Sequence, residues 1–167
     1  MNGHLEIEKK YLIKYPNVND LLVRGAESSE ITQVYLLADK DVSERVRKRV
    51  YKGKSVFTHT VKGKAKGIAR TEDEREISGE EYETLLLRAD PECAPVSKTR
   101  YVLKENGFCY EVDVFPFWKD KAFLEIELEN EDVEPVLPGF ITVVEDVSCD
   151  RNYTNHALSR RLKNNLL

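Results

Sequence analysis

Through most of this chain apolar and polar side chains alternate one for one, and within most alternating stretches the polar set carries a single sign of charge. A period of two belongs to a β-strand, whose successive side chains point to opposite faces. Glu6, Glu8 and Lys10 thus share one face of a first strand, with Leu5, Ile7 and Tyr11 on the other. Gln33 and Tyr35 share a face further on, followed by Arg45, Arg47 and Arg49 opposite Val46 and Val50. Thr58, Thr60 and Lys62 then stand opposite Phe57 and Val61, and Glu72, Glu74 and Glu76 fall together. Lys98 with Arg100, Glu111 with Asp113, and Glu125 with Glu127 complete the series.

The pattern predicts strands over 4–13, 31–38, 43–51, 55–63, 71–78, 96–104, 107–115 and 122–129. Turns at 39–41, 52–54 and 105–107 are short enough for antiparallel hairpins. Helices are expected at three places. Asn19 to Ala26 can be capped by Asn19 and presents Leu22 and Ala26 at i, i+4. Ser78-Gly79-Glu80-Glu81 is a capping-box sequence before Tyr82, Leu85, Leu86 and Ala89. Leu158, Leu162 and Leu166 recur every fourth residue near the end, where Asn164-Asn165 favours fraying. The fold class is α+β: one domain over 1–167, an eight-stranded antiparallel barrel, closed or nearly so, with a few flanking helices.

Alternation alone is also what an open antiparallel sheet with one wet face shows. Three details favour an enclosed lumen for the charged residues, which make up 34% of the chain against the roughly 25% usual in globular domains. They segregate by strand, whereas a face built for solubility mixes signs. Three arginines in register repel unless anions lie between them. In a barrel of about eight strands one parity must point inward, and charges there need partners because a buried unpaired charge is costly.

Other classes drop out. No apolar run approaches the roughly 18 residues that span a membrane, and the N-terminus lacks a signal peptide's apolar segment. Cys93, Cys109 and Cys149 read as reduced thiols of a cytoplasmic protein. His4, His59 and His156 have no metal-ligand spacing, so a zinc site is not expected. A net charge of −4 argues against nucleic acid, despite the basic stretch from Arg45 to Lys54. Gly53-Lys54-Ser55 is not a phosphate loop, since Lys48 stands where a glycine is required. Phe115, Phe117 and Trp118 are expected to pack beneath a loop. Lys62 to Gly67 reads as a solvated loop, with a lid at the tunnel mouth as the sharper alternative.

Clustered Arg and Lys bind phosphate oxygens, and clustered carboxylates bind hard divalent cations. A linear polyphosphate carrying its metal ions needs both at once.

These residues resemble the CYTH superfamily, the triphosphate tunnel metalloenzymes. Glu6-x-Glu8-x-Lys10 is similar to the family's ExExK signature. Thr32 to Leu36, Arg45-Val46-Arg47, Thr60-Val61-Lys62, Arg70-x-Glu72-x-Glu74, Lys98 to Tyr101, Glu111-Val112-Asp113, Glu125 to Leu128 and Asp150 to Asn155 follow in family order. The resemblance implies an eight-stranded tunnel that binds triphosphate and uses Mg²⁺ or Mn²⁺, two ions being expected. It implies Lys10, Arg45, Arg47, Lys62, Lys98 and Arg100 as triphosphate ligands. Glu6, Glu8, Asp113, Glu125 and Glu127 would hold metal, with Glu72 and Glu74 orienting water or basic side chains. Lys10, Tyr35, Glu72 and Glu74 are the catalytic candidates. Tyr35, with a reference pKa of about 10, is a poor base unless nearby cations depress it, so a metal-activated water is the expected nucleophile. Two positions depart from the family pattern: Val34 in place of a frequent glycine, and an acid at Glu145 where many members carry lysine.

The implied reaction is hydrolysis of inorganic triphosphate to pyrophosphate and phosphate, with a small-molecule substrate and neither nucleic acid nor membrane as partner. A homodimer is left open. The alternatives are an adenylyl cyclase or a thiamine triphosphatase of the same superfamily, and a polyphosphate-binding module without catalysis.

Overall fold

The alternating stretches form strands, as their periodicity demands. The computed structural model describes residues 3–167. It begins with β1 (His4–Lys14), α1 (Val18–Val23), β2 (Glu27–Tyr35), β3 (Ser43–Tyr51), β4 (Lys54–Lys62) and β5 (Ala69–Ile77). Then come α2 (Gly79–Leu86), β6 (Val96–Glu105), β7 (Phe108–Val114), β8 (Lys121–Glu127), β9 (Val143–Asp146) and α3 (Asn155–Lys163). Two hairpins are set by their turns. Lys52 and Gly53 stand at φ 47° and 77° between the paired Tyr51 and Lys54. Asn106 and Gly107 stand at 54° and 77° between Glu105 and Phe108. Two consecutive positive φ values are the type I′ signature, whose twist matches that of the flanking strands.

Every neighbouring strand pair is antiparallel, in the order β5-β4-β3-β2-β6-β7-β8-β1-β9. The sheet closes through β1 and β5, so eight strands form the barrel and β9 is additional. The seam is short. His4 to Ile7 pair with β5, and further along the same strand Tyr11 to Ile13 pair with β9. β1 therefore diverges from β5 after four residues, and β9 takes up the hydrogen bonds β5 leaves.

A polar lumen leaves the apolar packing to the outside of the barrel and to its lower end. Ile7, Tyr11 and Ile13 of β1 join Val112, Leu124 and Ile126 under a cover made by Leu21 of α1 and by Leu128 and Ile141 of the long 128–142 segment. On another flank Val46, Leu36 and Ile77 pack against Tyr82 of α2. A third cluster of Leu12, Val96, Phe115, Trp118, Phe123, Val147 and Leu158 ties the lower strands to α3, with Phe117 at its margin. The expectation that Phe115, Phe117 and Trp118 serve packing holds.

Several boundaries differ from the sequence expectation. β2 starts four residues earlier than 31–38 and ends at Tyr35, because Glu27 to Glu30 pair with β6 although they lack an apolar face. Asn17, not Asn19, caps α1 by accepting from the Asn19 backbone N–H. Leu21, packed in the main core cluster, is buried instead of Leu22. Ser78 caps α2 by accepting from Glu81 N–H, as the capping-box sequence requires. α3 begins at a Thr154 cap and ends before Asn164, so Leu166 lies beyond it and is exposed. β9 was not foreseen; it has four residues, too few for a period to be read.

Candidate active site in the barrel lumen

The inward parity of all eight barrel strands converges on one cavity of about 510 Å³. Glu6, Glu8 and Lys10 line it from β1, Tyr35 from β2, Arg45 and Arg47 from β3, and Lys62 from β4. Arg70, Glu72 and Glu74 enter from β5, Arg100 from β6, Glu111 from β7, and Glu125 and Glu127 from β8. Segment 147–156 contributes Arg151, Asn155 and His156, among others. It is tied down where the Val147 N–H donates to the Lys10 carbonyl at 2.9 Å. The Lys10 N–H in turn donates to Ser148 Oγ at 2.9 Å.

Most charges here are paired. Lys62 Nζ lies 2.6 Å from Glu6 Oε2 and 2.5 Å from Glu72 Oε2, and Arg70 Nε lies 3.0 Å from Glu6. Burial pushes the Glu6 carboxyl up, but Lys62, a hydrogen bond with Glu72 and Arg70 together bring it down to about 2. Lys10 Nζ sits 2.8 Å from Glu125 Oε1 and 4.1 Å from the centre of the Phe123 ring. Arg100 reaches Asp113 at 2.7 Å, Glu125 at 2.6 Å and also Glu111. Burial opposes ionisation of Glu125, yet Lys10, Arg100 and Lys98 hold its pKa well below the usual range.

Three groups stand apart. Arg45 is buried and Arg47 nearly so, neither forms an ion pair among the described residues, and the Nε of each is buried without a hydrogen-bond partner. Burial lowers the Arg47 pKa to about 10, helped by repulsion from Arg45 and Arg100. Glu8 likewise makes no ion pair among the described residues, and burial beside Glu125 raises it to about 7 despite Lys10. A buried charge without a partner is costly enough that its persistence points to a partner from solution. For two guanidinium groups that partner is an anion.

The carboxylates fit a hard cation. Glu8 is directly opposite Glu127, and Glu111 is directly opposite Glu125. Like charges across a ladder repel, and carboxylate oxygens suit Mg²⁺ or Mn²⁺.

Two expected site residues do not reach the cavity. Lys98 is 1% exposed and Asp113 fully buried; they pair with each other, and Asp113 also takes Arg100 through both its oxygens. Arg100 and Lys98 hold Asp113 ionised against its burial. With its oxygens committed, Asp113 positions Arg100, and Glu111 lines the cavity in its place. Both sit on one parity of β7, and only depth along the barrel separates them. Tyr35 is in the wall, but burial raises its phenol pKa in spite of Arg45 and Lys10. The hydroxyl stays protonated at neutral pH and accepts from Gln33 Nε2 at 3.2 Å. Glu74 accepts from Thr60 at 2.7 Å. Arg70, on the parity of Glu72 and Glu74, joins the site as a further cation beside Glu6. Arg151, Asn155 and His156 belong to no alternating stretch, so only the fold brings them in.

Both departures are harmless to the lumen. Val34 faces the opposite way from Gln33 and Tyr35 and packs on the α2 flank. Glu145 is exposed on β9 and does not line the cavity. The 63–68 loop stands at the mouth, lining the cavity with Ala65, Gly67 and Ile68, and the Glu8 N–H donates to the Ile68 carbonyl at 3.2 Å.

The chain that folds into this closed barrel, lined by cations and carboxylates from alternating strands, is matched by the CYTH domain model over residues 4–148. The chain belongs to the CYTH family. The inorganic triphosphatase NE1496 is 25% identical, with a TM-score of 0.54 over 93% of this chain and 94% of that one. The Pyrococcus horikoshii protein PH1819 is 21% identical (TM-score 0.56; 76% and 80% covered). HpAC1 from Hippeastrum is 17% identical (TM-score 0.53; 75% and 80% covered). These two share the CYTH fold with this chain. A comparison with curated protein sequences gives no significant match.

Proposed function

We propose that this CYTH protein hydrolyses inorganic triphosphate to pyrophosphate and phosphate in its tunnel, with Mg²⁺ or Mn²⁺ held by the carboxylates. The observation that carries the reading is the pair of buried, acid-free guanidinium groups of Arg45 and Arg47 facing an under-neutralised carboxylate cluster. Phosphoryl transfer draws its catalysis chiefly from positioning and charge neutralisation, and the lumen offers both. Arg45 and Arg47 bind the phosphate oxygens in bidentate fashion. Lys10, Lys62 and Arg100 are anchored by Glu125, by Glu6 with Glu72, and by Asp113, so they meet the chain already oriented.

Glu8 and Glu127 are the first candidates for metal ligands, with Glu6, Glu111 and Glu125 available on exchange of their present cations. A divalent ion there supplies positive charge along the phosphate chain and acidifies water at neutral pH. Glu72 and Glu74 hold Lys62 and Thr60 in place at the mouth side of the wall. Tyr35 keeps its proton and serves as a hydrogen-bonding group.

An inorganic chain is favoured over a nucleotide because the aromatic rings lining the cavity are already engaged. His156 stacks on Tyr35 with centroids 4.5 Å apart, and Tyr153 meets Phe123 edge-on at 6.1 Å. The 25% identity with an inorganic triphosphatase points the same way. The test is phosphate release from tripolyphosphate, pyrophosphate, ATP and thiamine triphosphate side by side, each with Mg²⁺ and with Mn²⁺. Tripolyphosphate is expected to turn over fastest. Cyclic AMP as the main product from ATP and Mn²⁺ would overturn the assignment, as would no release from any of the four.

A further inference from the structure

Behind the wall that His156 and Tyr35 give the tunnel, three side chains of different chemistry from its all-oxygen donor set meet where the end of β2, the loop after α2 and the start of α3 come together. Asp90 and Cys93 stand in the loop and His156 in the first turn of α3. One donor atom of each lies within 4.8 Å of the other two. The backbone fixes this arrangement. The Asp90 N–H donates to the Tyr35 carbonyl at 2.9 Å, the Cys93 N–H to the Asp90 carbonyl at 3.1 Å, and the Ala94 N–H to the Ser159 carbonyl at 3.0 Å. Cys93 is buried, with Asp90 and His156 half-buried, and the Cys93 thiol donates to Asp90 Oδ2 at 3.6 Å.

The imidazole is held as well. Its ring stacks on Tyr35 at an interplanar angle of 14°, and its Nε2 is buried with no hydrogen-bond partner. Buried polar atoms in native proteins nearly always have partners, so an orphan nitrogen signals a missing one. Thiolate, imidazole and carboxylate are the donors of zinc, whereas magnesium and manganese take oxygen. Among the described residues Arg160 brings the opposing charge: its guanidinium lies 3.7 Å from Asp90 Oδ2 and 3.4 Å from Glu92 Oε2. Its side chain is half exposed, so it can keep Glu92 and yield Asp90.

We propose that Asp90, Cys93 and His156 form a second cation site, adjoining the tunnel at His156, that takes Zn²⁺ or a similarly thiophilic divalent ion through three protein ligands. The spacing of the histidines gave no hint of it because the donors come from a loop and a helix far apart in sequence. A metal there clamps the α2–β6 loop to α3.

The site is tested with the full chain in saturating Mg²⁺, which occupies the tunnel carboxylates. Co²⁺, added as a spectroscopic probe for Zn²⁺, is expected to give a thiolate-to-metal charge-transfer band at one equivalent, which Zn²⁺ then abolishes. Cys93→Ser should lose the band, while Cys109→Ser and Cys149→Ser keep it. Zn²⁺ at about a hundredfold excess over its Kd should raise the wild-type Tm by roughly 5 to 10 °C. If Cys93→Ser fails to fold, His156→Gln serves instead, and loss of the Zn²⁺-induced Tm rise is expected. No band in the wild type, or a band that survives Cys93→Ser, overturns the proposal. So does a Tm rise unchanged in His156→Gln.

Discussion

Glu8 stands out among the lumen carboxylates because burial and Glu125 hold its pKa near 7 and no cation among the described residues pairs with it. A carboxyl whose pKa is raised on folding, here from 4.5 to about 7, costs the folded state stability once the unfolded chain ionises. The cost grows from about pH 4.5 upward, levels off above about pH 7, and amounts to on the order of 3 kcal/mol. Metal-free Glu8→Gln is therefore expected to melt above the metal-free wild type at pH 8, the gap closing by about pH 4, as calorimetry can follow. The same variant should lose metal-dependent phosphate release while folding normally. A lower melting temperature at pH 8 would mean that Glu8 has a partner in the apo protein. Asp113 is the opposite case, with both oxygens spoken for. Asp113→Ala leaves Lys98 and Arg100 buried without their counter-charge and should cost about 3–5 kcal/mol in denaturant unfolding. That these two acids differ was not legible in the sequence, where both are simply acids on an inward parity. Depth along the barrel decides which of them ligand and metal can reach.

Within one strand, parity decides function. β3 places Arg45 and Arg47 inward and the exposed Lys48 outward, opposite Phe57. Arg47→Ala should lower kcat/KM for tripolyphosphate about 100-fold, the scale of a lost charge-stabilising donor. Lys48→Ala should leave it unchanged, so equal effects from the two would dissolve the tunnel reading. The helices have simpler accounts. The Ser78 hydroxyl accepts from Glu81 N–H at 3.0 Å, and Ser78→Ala should cost about 1 kcal/mol, or roughly 2–4 °C in Tm. The strands with strict alternation and the capping-box helix were readable because local preference and tertiary demand coincide there. β9 and the true start of β2 were not, since their edge hydrogen bonds answer to a neighbouring strand and leave no apolar period behind.

As a whole the molecule inverts the usual layering: charges fill the barrel, and apolar packing lies outside it or across its lower end. Phe123 serves both, meeting Lys10 in the lumen and Phe115, Trp118 and Tyr153 below. Phe123→Ala should cost about 3–5 kcal/mol through the cavity it leaves, and it should also weaken tripolyphosphate turnover by loosening Lys10. Stability retained alongside normal turnover would mean the lower end is not a packed floor. No helix among the described residues is long and apolar enough to cross a membrane. By itself the sequence determined the strand count of the barrel, the face each charge takes and the family, because side-chain alternation and ordered motifs are local properties of the chain. Only the tertiary structure decided that Arg45, Arg47 and Glu8 form no ion pair among the described residues while Lys98 and Asp113 are sealed together. It alone brought Arg151 and Asn155 to the tunnel, and His156 to Cys93. Pairing, depth and convergence depend on where distant segments meet, and closure of the barrel through β1 and β5 sets those distances.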